Sequence, residues 1–249
     1  AMTTENPDDG NPDWSEPRPL FPGVMMNKPI VTSKGEWLMP SAMWHRDGSS
    51  RVIVSNDRGQ TWALRGTANI PPERRNCDEE MIVEREDGSL WMLVRTAEYG
   101  IGESVSTDDG KTWTEVSDYQ KHATTRFTLL KLESGNLLLI RNGPLDVRTG
   151  RHHMTAYLST DDGASWTGGL LLDERGTSYP DATQAPDGTL YAIYDYSRGV
   201  DKKILMSVFT EEDILAQEYV SPVGRTKVLV NRATGINPKI GSIGDGPPL

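Results

Sequence analysis

Three eight-residue segments repeat along the chain and constrain its fold more than any other feature. They read SNDRGQTW at 55–62, STDDGKTW at 106–113 and STDDGASW at 159–166. All three fit the pattern Ser-x-Asp-x-Gly-x-Ser/Thr-Trp, and their starts lie about 50 residues apart, a period typical of repeat architectures. The chain is therefore expected to contain at least three copies of one structural unit.

The chemistry of each octad predicts a turn between two strands. The Asp carboxylate can accept backbone N–H groups of the turn, and the Gly permits a positive φ. The Ser or Thr is expected to begin the next strand, and the Trp is expected to be buried, packing inward between sheets. These six side chains are interpreted as structural rather than catalytic. The aspartates are Asp57, Asp108 and Asp161, and the tryptophans are Trp62, Trp113 and Trp166.

The segments between the octads predict antiparallel strands. Short apolar runs are joined by DG or SG turns in residues 79–96, 126–142 and 182–196, which is the hairpin pattern. A further run leads into each octad and another follows its Trp. Four strands in a repeat of this length indicate a β-propeller. We predict an all-β, antiparallel propeller with four recognisable blades and one short helix over 210–217, whose Thr-x-x-Asp resembles a capping box. The predicted blades span residues 24–68, 78–118, 124–172 and 178–230.

The predicted organisation is an N-terminal segment over 1–20, a propeller over 21–231 and a C-terminal tail over 232–249. The N-terminal segment begins with Ala-Met and is interpreted as a tag remnant or a linker. The fourth blade has no octad, so its outer strand is expected from residues 14–20 or from residues 226–231. If neither completes the ring, a second copy of the chain is expected to cover the open side as a homodimer.

Composition excludes several classes of function. The chain has 249 residues and a formal net charge of −10, which argues against nucleic acid as a partner. No apolar run approaches the ~18 residues of a membrane span. The single cysteine, Cys77, excludes an internal disulfide and a thiolate zinc cluster. No metal or cofactor is predicted. The first residues lack the basic and apolar regions of a signal peptide, and the compartment stays open.

The octads are Asp boxes, and the chain resembles the sialidase (neuraminidase) superfamily over residues 78–215. The segment EEMIVEREDGSLWMLVR matches the family pattern in which a glutamate opens a strand and an arginine closes its hairpin partner, which points to Glu79 and Arg95. RHHMTAYLSTDDGASW matches the segment that begins with another arginine, Arg151. SYPDATQAPDGTLYAIYD matches the segment with a tyrosine and a later acidic residue, Tyr179 and Asp195. The resemblance implies a sialidase-type propeller, either shortened or truncated from six blades.

The resemblance also implies roles for these residues. Tyr179 would be the nucleophile, and Glu79 would activate it. Arg95 and Arg151 would hold the substrate carboxylate by paired, charge-assisted hydrogen bonds. Asp195, where the family has a glutamate, would steady an arginine. The expected function is hydrolysis of a terminal acidic sugar, with sialic acid as the default substrate.

A further arginine, Arg126, begins a predicted strand and is a candidate to face the central funnel and bind substrate.

Two parts of the family pattern, an Arg-Ile-Pro motif and a following Asp acid/base, are not found in this sequence. Two other functions therefore stay open. One is a lyase or hydrolase acting on uronate or rhamnose–glucuronate linkages, with His45 or His122 as candidates for the acid/base. The adjacent His152 and His153 are expected on one strand, pointing to opposite faces. The other is a carbohydrate-binding propeller without catalysis.

Overall fold

The computed structural model describes residues 1–43, 49–97 and 99–234, apart from the side chains of residues 49 and 75–78. Over these residues the chain forms four sheets, each made of four antiparallel strands that pair in chain order. The predicted fold class is confirmed: the chain is an all-β, four-bladed propeller. A 3₁₀ helix, Pro72–Arg74, and a short α-helix, α1 (Glu211–Ala216), accompany the strands.

The blade boundaries follow the repeat found in the sequence. The first blade contains β1 (Ile30–Val31), β2 (Trp37–Ala42), β3 (Ser49–Ser55) and β4 (Ala63–Asn69). The second contains β5 (Arg75–Glu84), β6 (Leu90–Thr96), β7 (Gly100–Ser106) and β8 (Ser117–Lys121). The third contains β9 (Thr128–Lys131), β10 (Leu137–Asn142), β11 (Met154–Ser159) and β12 (Thr167–Asp173). The fourth contains β13 (Thr177–Gln184), β14 (Leu190–Tyr196), β15 (Lys203–Phe209) and β16 (Arg225–Arg232).

The fourth blade takes its outer strand from the C-terminal side of the chain. Strand β16, which contains residues 226–231, pairs along β15. Residues 14–20 lie outside every strand. Instead, Arg18 donates to the backbone carbonyls of Gly59 and Gln60 at the Asp box of the first blade. The N-terminal segment therefore packs on the first blade and adds no strand to the fourth.

Three apolar clusters form the core, one between each pair of successive blades. Strand β6 shows how the sequence produces them, because all seven of its residues are buried. Side chains alternate between the two faces of a strand. Trp91 and Leu93 therefore join the cluster shared with the third blade, while Met92 and Val94 join the one shared with the first. A continuous apolar strand is what a blade buried on both faces requires.

The first strands of the blades lie at the centre of the ring. Strand β9 contacts both β5 and β13, and a cavity of about 100 Å³ lies between these strands and the segment that precedes β1. Lys28 of that segment donates to the carbonyl of Ala182 at 2.5 Å and pairs with Asp181 at 3.1 Å. The first and fourth blades therefore meet at the axis through a lysine side chain.

Each Asp box is a hydrogen-bonded turn, as the sequence predicts. Asp108 accepts from the Ser106 hydroxyl at 2.8 Å and from the backbone N–H and hydroxyl of Thr112 at 2.8 and 2.7 Å. Gly110 has a φ of +83°. The bonds from Thr112 lower the pKa of Asp108 to about 2. The equivalent bonds are present at Asp57 and Asp161. The Ser or Thr is thus tied into the turn, and the expectation that it begins the next strand is wrong.

The box tryptophans are half-buried, so the prediction that they are buried is wrong. Trp113 and Trp166 nevertheless pack inward against the apolar clusters between blades, as predicted. Trp62 donates its indole N–H to the carbonyl of Gly59 in its own turn at 3.2 Å. Trp113 donates its indole N–H to the carbonyl of Gly110 at 3.0 Å. Trp166 instead donates to the hydroxyl of Tyr119, which in turn donates to the carbonyl of Gly163 at 2.6 Å. Tyr119 thus ties the outer strand of the second blade to the Asp box of the third blade.

Helix α1 begins where the sequence predicts a helix. Thr210 is the N-cap, its hydroxyl accepts from the N–H of Asp213, and the Asp213 carboxylate accepts from the N–H of Thr210. This reciprocal pair is a capping box. Ile214 on the buried face packs into the core cluster between the third and fourth blades.

Candidate functional site

Irregular pairing near the N-terminal ends of two inner strands places Glu79 and Tyr179. In β13, Ser178 pairs with Asp195 and Asp181 pairs with Ile193, so two residues lie opposite one. Such a bulge re-aims side chains. Tyr179 lies in it with a φ of +53°, in the left-handed region that bulky residues rarely adopt. Outliers of this kind concentrate at functional sites. Strand β5 has a similar register shift between Arg75 and Glu80.

Glu79 and Arg95 form a buried ion pair in the second blade. Nη1 of Arg95 donates to Oε2 of Glu79 at 2.7 Å, and the two side chains are only 9% and 3% exposed respectively. Nε of Arg95 donates to the carbonyl of Thr124 at 2.9 Å. These bonds fix the guanidinium, and its Nη2 group has no hydrogen-bond partner among the described residues. The sequence predicted both residues as site residues.

Tyr179 lies between Glu79 and cationic side chains. Burial raises the pKa of the Tyr179 hydroxyl first, and the negative charge of Glu79 and a hydrogen bond to it raise the pKa further. The charge of Arg198 acts in the opposite direction. The Arg198 guanidinium carbon lies 4.6 Å from the centre of the Tyr179 ring, within the range of a cation–π contact. The phenol is therefore neutral at neutral pH, with the side chain of Glu79 beside it.

A second cluster of charge surrounds Ser178. The Ser178 hydroxyl accepts from Nη1 of Arg151 and from Nη2 of Arg198, the latter at 3.1 Å. Burial lowers the pKa of Arg151, and the positive charges of Arg198 and Arg95 lower it further. The charges of Arg198 and Arg95 thus both reach the guanidinium group of Arg151. A concentration of positive charge of this kind favours binding of an anion.

Asp195 contacts an arginine that the sequence prediction did not include. Its Oδ2 pairs with Nε of Arg198 at 3.1 Å, whereas Arg151 acts on it through its charge. Burial raises the pKa of Asp195, and the two arginines oppose that rise. The arginine that Asp195 contacts, and that it would steady in its predicted role, is therefore Arg198. Asp195 lies near the end of β14, and Arg198 follows three residues later. This i,i+3 spacing of opposite charges is the sequence signal that could have identified Arg198.

Arg126 is close to this region, and both of its Nη groups already have hydrogen-bond partners, whereas its buried Nε has none among the described residues. Nη1 donates to the carbonyl of Pro180, and Nη2 donates to the carbonyl of Met26 at 2.8 Å and to Oδ1 of Asn27 at 3.1 Å. Its guanidinium carbon lies 5.8 Å from the Tyr179 ring. Arg126 ties the third blade to the fourth and to the N-terminal side of the first, and its role in substrate binding stays a prediction.

None of the three described histidines, His122, His152 and His153, forms a hydrogen bond or ion pair with the side chains of this cluster. His45 lies outside the described residues. His152 and His153 are exposed and precede β11, so the expectation that they share a strand is wrong. His122 lies directly after β8, with a φ of +75°.

Two negative findings hold for the residues that the structure describes. No group of three or more His, Cys, Asp or Glu side chains is placed to hold a metal ion. Within the same ranges, no helix has the length and apolar character needed to cross a bilayer.

The chain is an Asp-box propeller of the sialidase superfamily. It has four-stranded antiparallel blades, Asp boxes in the first three of them, and a Glu–Tyr–Arg cluster at the inner strands. Residues 1–192 match the family described as the BNR repeat-like domain, and the chain belongs to that family.

Relatives of known name agree with this assignment. The chain is 31% identical to a sialidase of Bacteroides fragilis over 182 residues, which are 68% of this chain and 32% of that one. It is 27% identical to a sialidase of Micromonospora viridifaciens over 160 residues, which are 59% of this chain and 24% of that one. The chain thus spans about a third or less of these relatives. The solved NanB sialidase of Streptococcus pneumoniae superposes with a TM-score of 0.63 at 21% identity, over 81% of this chain and 34% of that one, and shows the shared fold.

Proposed function

We propose that this chain carries the nucleophile side of a sialidase-like glycoside hydrolase site, with a terminal sialic acid as substrate. The observation that supports the proposal most is the position of Tyr179. It lies in a strained bulge beside the carboxylate of Glu79 and under a guanidinium group. A tyrosine with a general base and cationic neighbours is suited to nucleophilic catalysis.

The carboxylate of the substrate explains the choice of these residue types. A sialic acid carries its carboxylate on the anomeric carbon, so an anionic nucleophile would be repelled by the substrate. A neutral phenol avoids that repulsion. In the proposed site, Nη2 of Arg95 and the free nitrogens of Arg151 bind the carboxylate, while Glu79 and Thr124 keep the Arg95 guanidinium in place.

The proposed first step forms one bond and breaks one bond at the anomeric carbon. The Tyr179 oxygen attacks, its proton passes to Glu79, and the bond to the leaving group breaks with the electron pair going to that group. Water then attacks the same carbon and releases one proton to solvent, the Tyr179 oxygen departs with the electron pair of its bond to that carbon, and the phenol recovers its proton from Glu79. Among the described residues no donor is assigned for the leaving oxygen, so the test uses a leaving group that departs without a proton.

The test is covalent trapping with 3-fluorosialosyl fluoride, which loses fluoride and leaves a slowly hydrolysed sugar on the nucleophile. We expect the intact mass to rise by one fluorosialosyl group and peptide mapping to place that group on Tyr179. Tyr179→Phe should abolish labelling and Glu79→Gln should slow it by at least about 100-fold, the usual range for loss of a general base. Tyr191→Phe, a partly buried tyrosine of the same blade, is the matched control and should label like the parent. Labelling at any other residue, or unchanged labelling of Tyr179→Phe, would overturn the proposal.

Two further assays separate the two other functions. Reversible binding of sialic acid that is weakened by Arg95→Ala/Arg151→Ala, without any turnover or labelling, would indicate a carbohydrate-binding propeller. Formation of a new C=C bond on a uronate polymer, followed by its ultraviolet absorbance, would indicate a lyase.

A further inference from the structure

We propose that Arg198 is a positioning residue for Tyr179, whose guanidinium group over the ring stabilises the phenolate character that the oxygen gains in the reaction. This inference rests on the proposed function, and it assigns a role to a residue that neither the octads nor the sialidase-like segments include. Three independent contacts of Arg198 support it.

The first contact is the placement of the guanidinium over the ring. Its central carbon lies 4.6 Å from the ring centre, closer than that of Arg126 at 5.8 Å. A cation over the face of a tyrosine attracts the π electrons, and the attraction grows when the oxygen becomes negative. The charge of Arg198 opposes the rise in the pKa of Tyr179 that burial and Glu79 cause.

The second and third contacts hold Arg198 in that place. Its Nε pairs with Oδ2 of Asp195 at 3.1 Å, and its Nη2 donates to the Ser178 hydroxyl at 3.1 Å. Ser178 immediately precedes Tyr179 and also accepts from Arg151. The guanidinium is thus anchored to the residue before the nucleophile and to the strand beside it.

The turn after β14 explains why an arginine at this position reaches back to the site. Ser197 has a φ of +50°, and its carbonyl accepts from the N–H groups of Val200 and Lys202. This turn reverses the chain directly after Tyr196 and points Arg198 back along β14 toward Asp195. The Arg198 side chain is 47% exposed, so it can change conformation without disturbing the core.

The charged groups that act on Tyr179 come from four separate elements. Glu79 lies on β5, Arg126 precedes β9, Arg151 precedes β11, and Arg198 follows β14. Arg126 is committed to backbone carbonyls, and Arg151 is proposed to bind the substrate carboxylate. Arg198 is therefore the cation whose removal should alter the nucleophile with little effect on substrate binding.

The test measures the phenol directly and the reaction separately. Tyrosine labelled with ¹³C at Cζ reports ionisation by NMR, and the Tyr179→Phe variant assigns the resonance. In Arg198→Gln we expect the Tyr179 resonance to titrate at higher pH than in the parent. With an aryl sialoside that needs no acid, kcat should fall by about tenfold while KM stays within about threefold, because the lost contact acts on the transition state. Arg198→Lys keeps the charge and should restore part of kcat.

The matched control is Arg85→Gln. Arg85 also lies over an aromatic ring, with its guanidinium carbon 4.3 Å from the centre of Trp91, but it belongs to the second blade away from Tyr179. This variant should leave the Tyr179 titration unchanged. An unchanged titration in Arg198→Gln, or a rise in KM without a fall in kcat, would overturn the role of Arg198. If the parent shows no turnover, the proposed reaction fails, and the NMR titration still decides whether Arg198 acts on the phenol.

Discussion

Replacing Arg95 with methionine should destabilise the protein strongly, because it leaves a buried carboxylate without its cation. The change keeps most of the apolar stem but removes the 2.7 Å ion pair with Glu79 and the 2.9 Å bond to the carbonyl of Thr124. Removal of one partner of a buried pair costs about 3–5 kcal/mol. With a urea slope of about 3 kcal/mol/M, the unfolding midpoint should fall by roughly 1–1.7 M.

The assay is urea unfolding followed by circular dichroism, with two comparison variants. Lys227→Met removes an exposed pair with Glu174 and should cost at most about 1 kcal/mol. The double variant Arg95→Met/Glu79→Gln removes the unpaired charge as well, so it should be more stable than Arg95→Met alone. If Arg95→Met costs no more than Lys227→Met, or if the double variant is the less stable, the pair does not contribute in the way that its burial indicates.

Three further perturbations test the fold. Asp108 has a pKa of about 2 in the folded chain against an ordinary value of 3.8. Its carboxylate therefore stabilises the fold above pH 3.8 and loses that effect as the pH falls toward 2. In acid titrations, Asp108→Asn should lose less stability between these two pH values than the parent does. In Gly163→Ala the new Cβ would lie 2.5 Å from Cζ3 of Trp91 at a φ of +89°, and the thermal midpoint should reflect a loss of about 1–3 kcal/mol. The control Gly135→Ala has a similar φ of +88° and no atom within 4 Å, so a loss of equal size there would exclude the contact with Trp91 as the cause. Thr210→Ala removes the hydroxyl of the capping box and should cost about 1 kcal/mol in the same melts. An unchanged thermal midpoint would contradict this expectation.

The blades could be predicted from the sequence because their signals are local. An Asp box is closed by bonds within five residues, and a DG turn fixes the hairpin that contains it. The exposure of the box tryptophans could not be predicted in the same way. Whether an indole is enclosed depends on the neighbouring blade, as the bond from Trp166 to Tyr119 shows.

The site was predictable in part, for a similar reason. Resemblance of short segments identified Glu79, Arg95 and Tyr179, which the structure brings together. Arg198 was missed because its approach to Tyr179 depends on the left-handed backbone at Ser197, which no sequence pattern indicated. The partners of Arg126 could not be predicted either, because the carbonyls of Met26 and Pro180 come from distant parts of the chain.

The proposed base and nucleophile lie on different blades, with a complete blade between them. Two side chains on one strand keep their spacing as long as the strand exists. Glu79 and Tyr179 keep theirs only while the interfaces on both sides of the third blade hold, and Arg126 spans one of these interfaces through the carbonyl of Pro180. The packing between the blades therefore sets the distance between the proposed base and the proposed nucleophile. A substitution that alters the packing of β9 or β10 would change the proposed reaction without contacting the sugar. The alignment of the two groups is thus a property of the whole propeller.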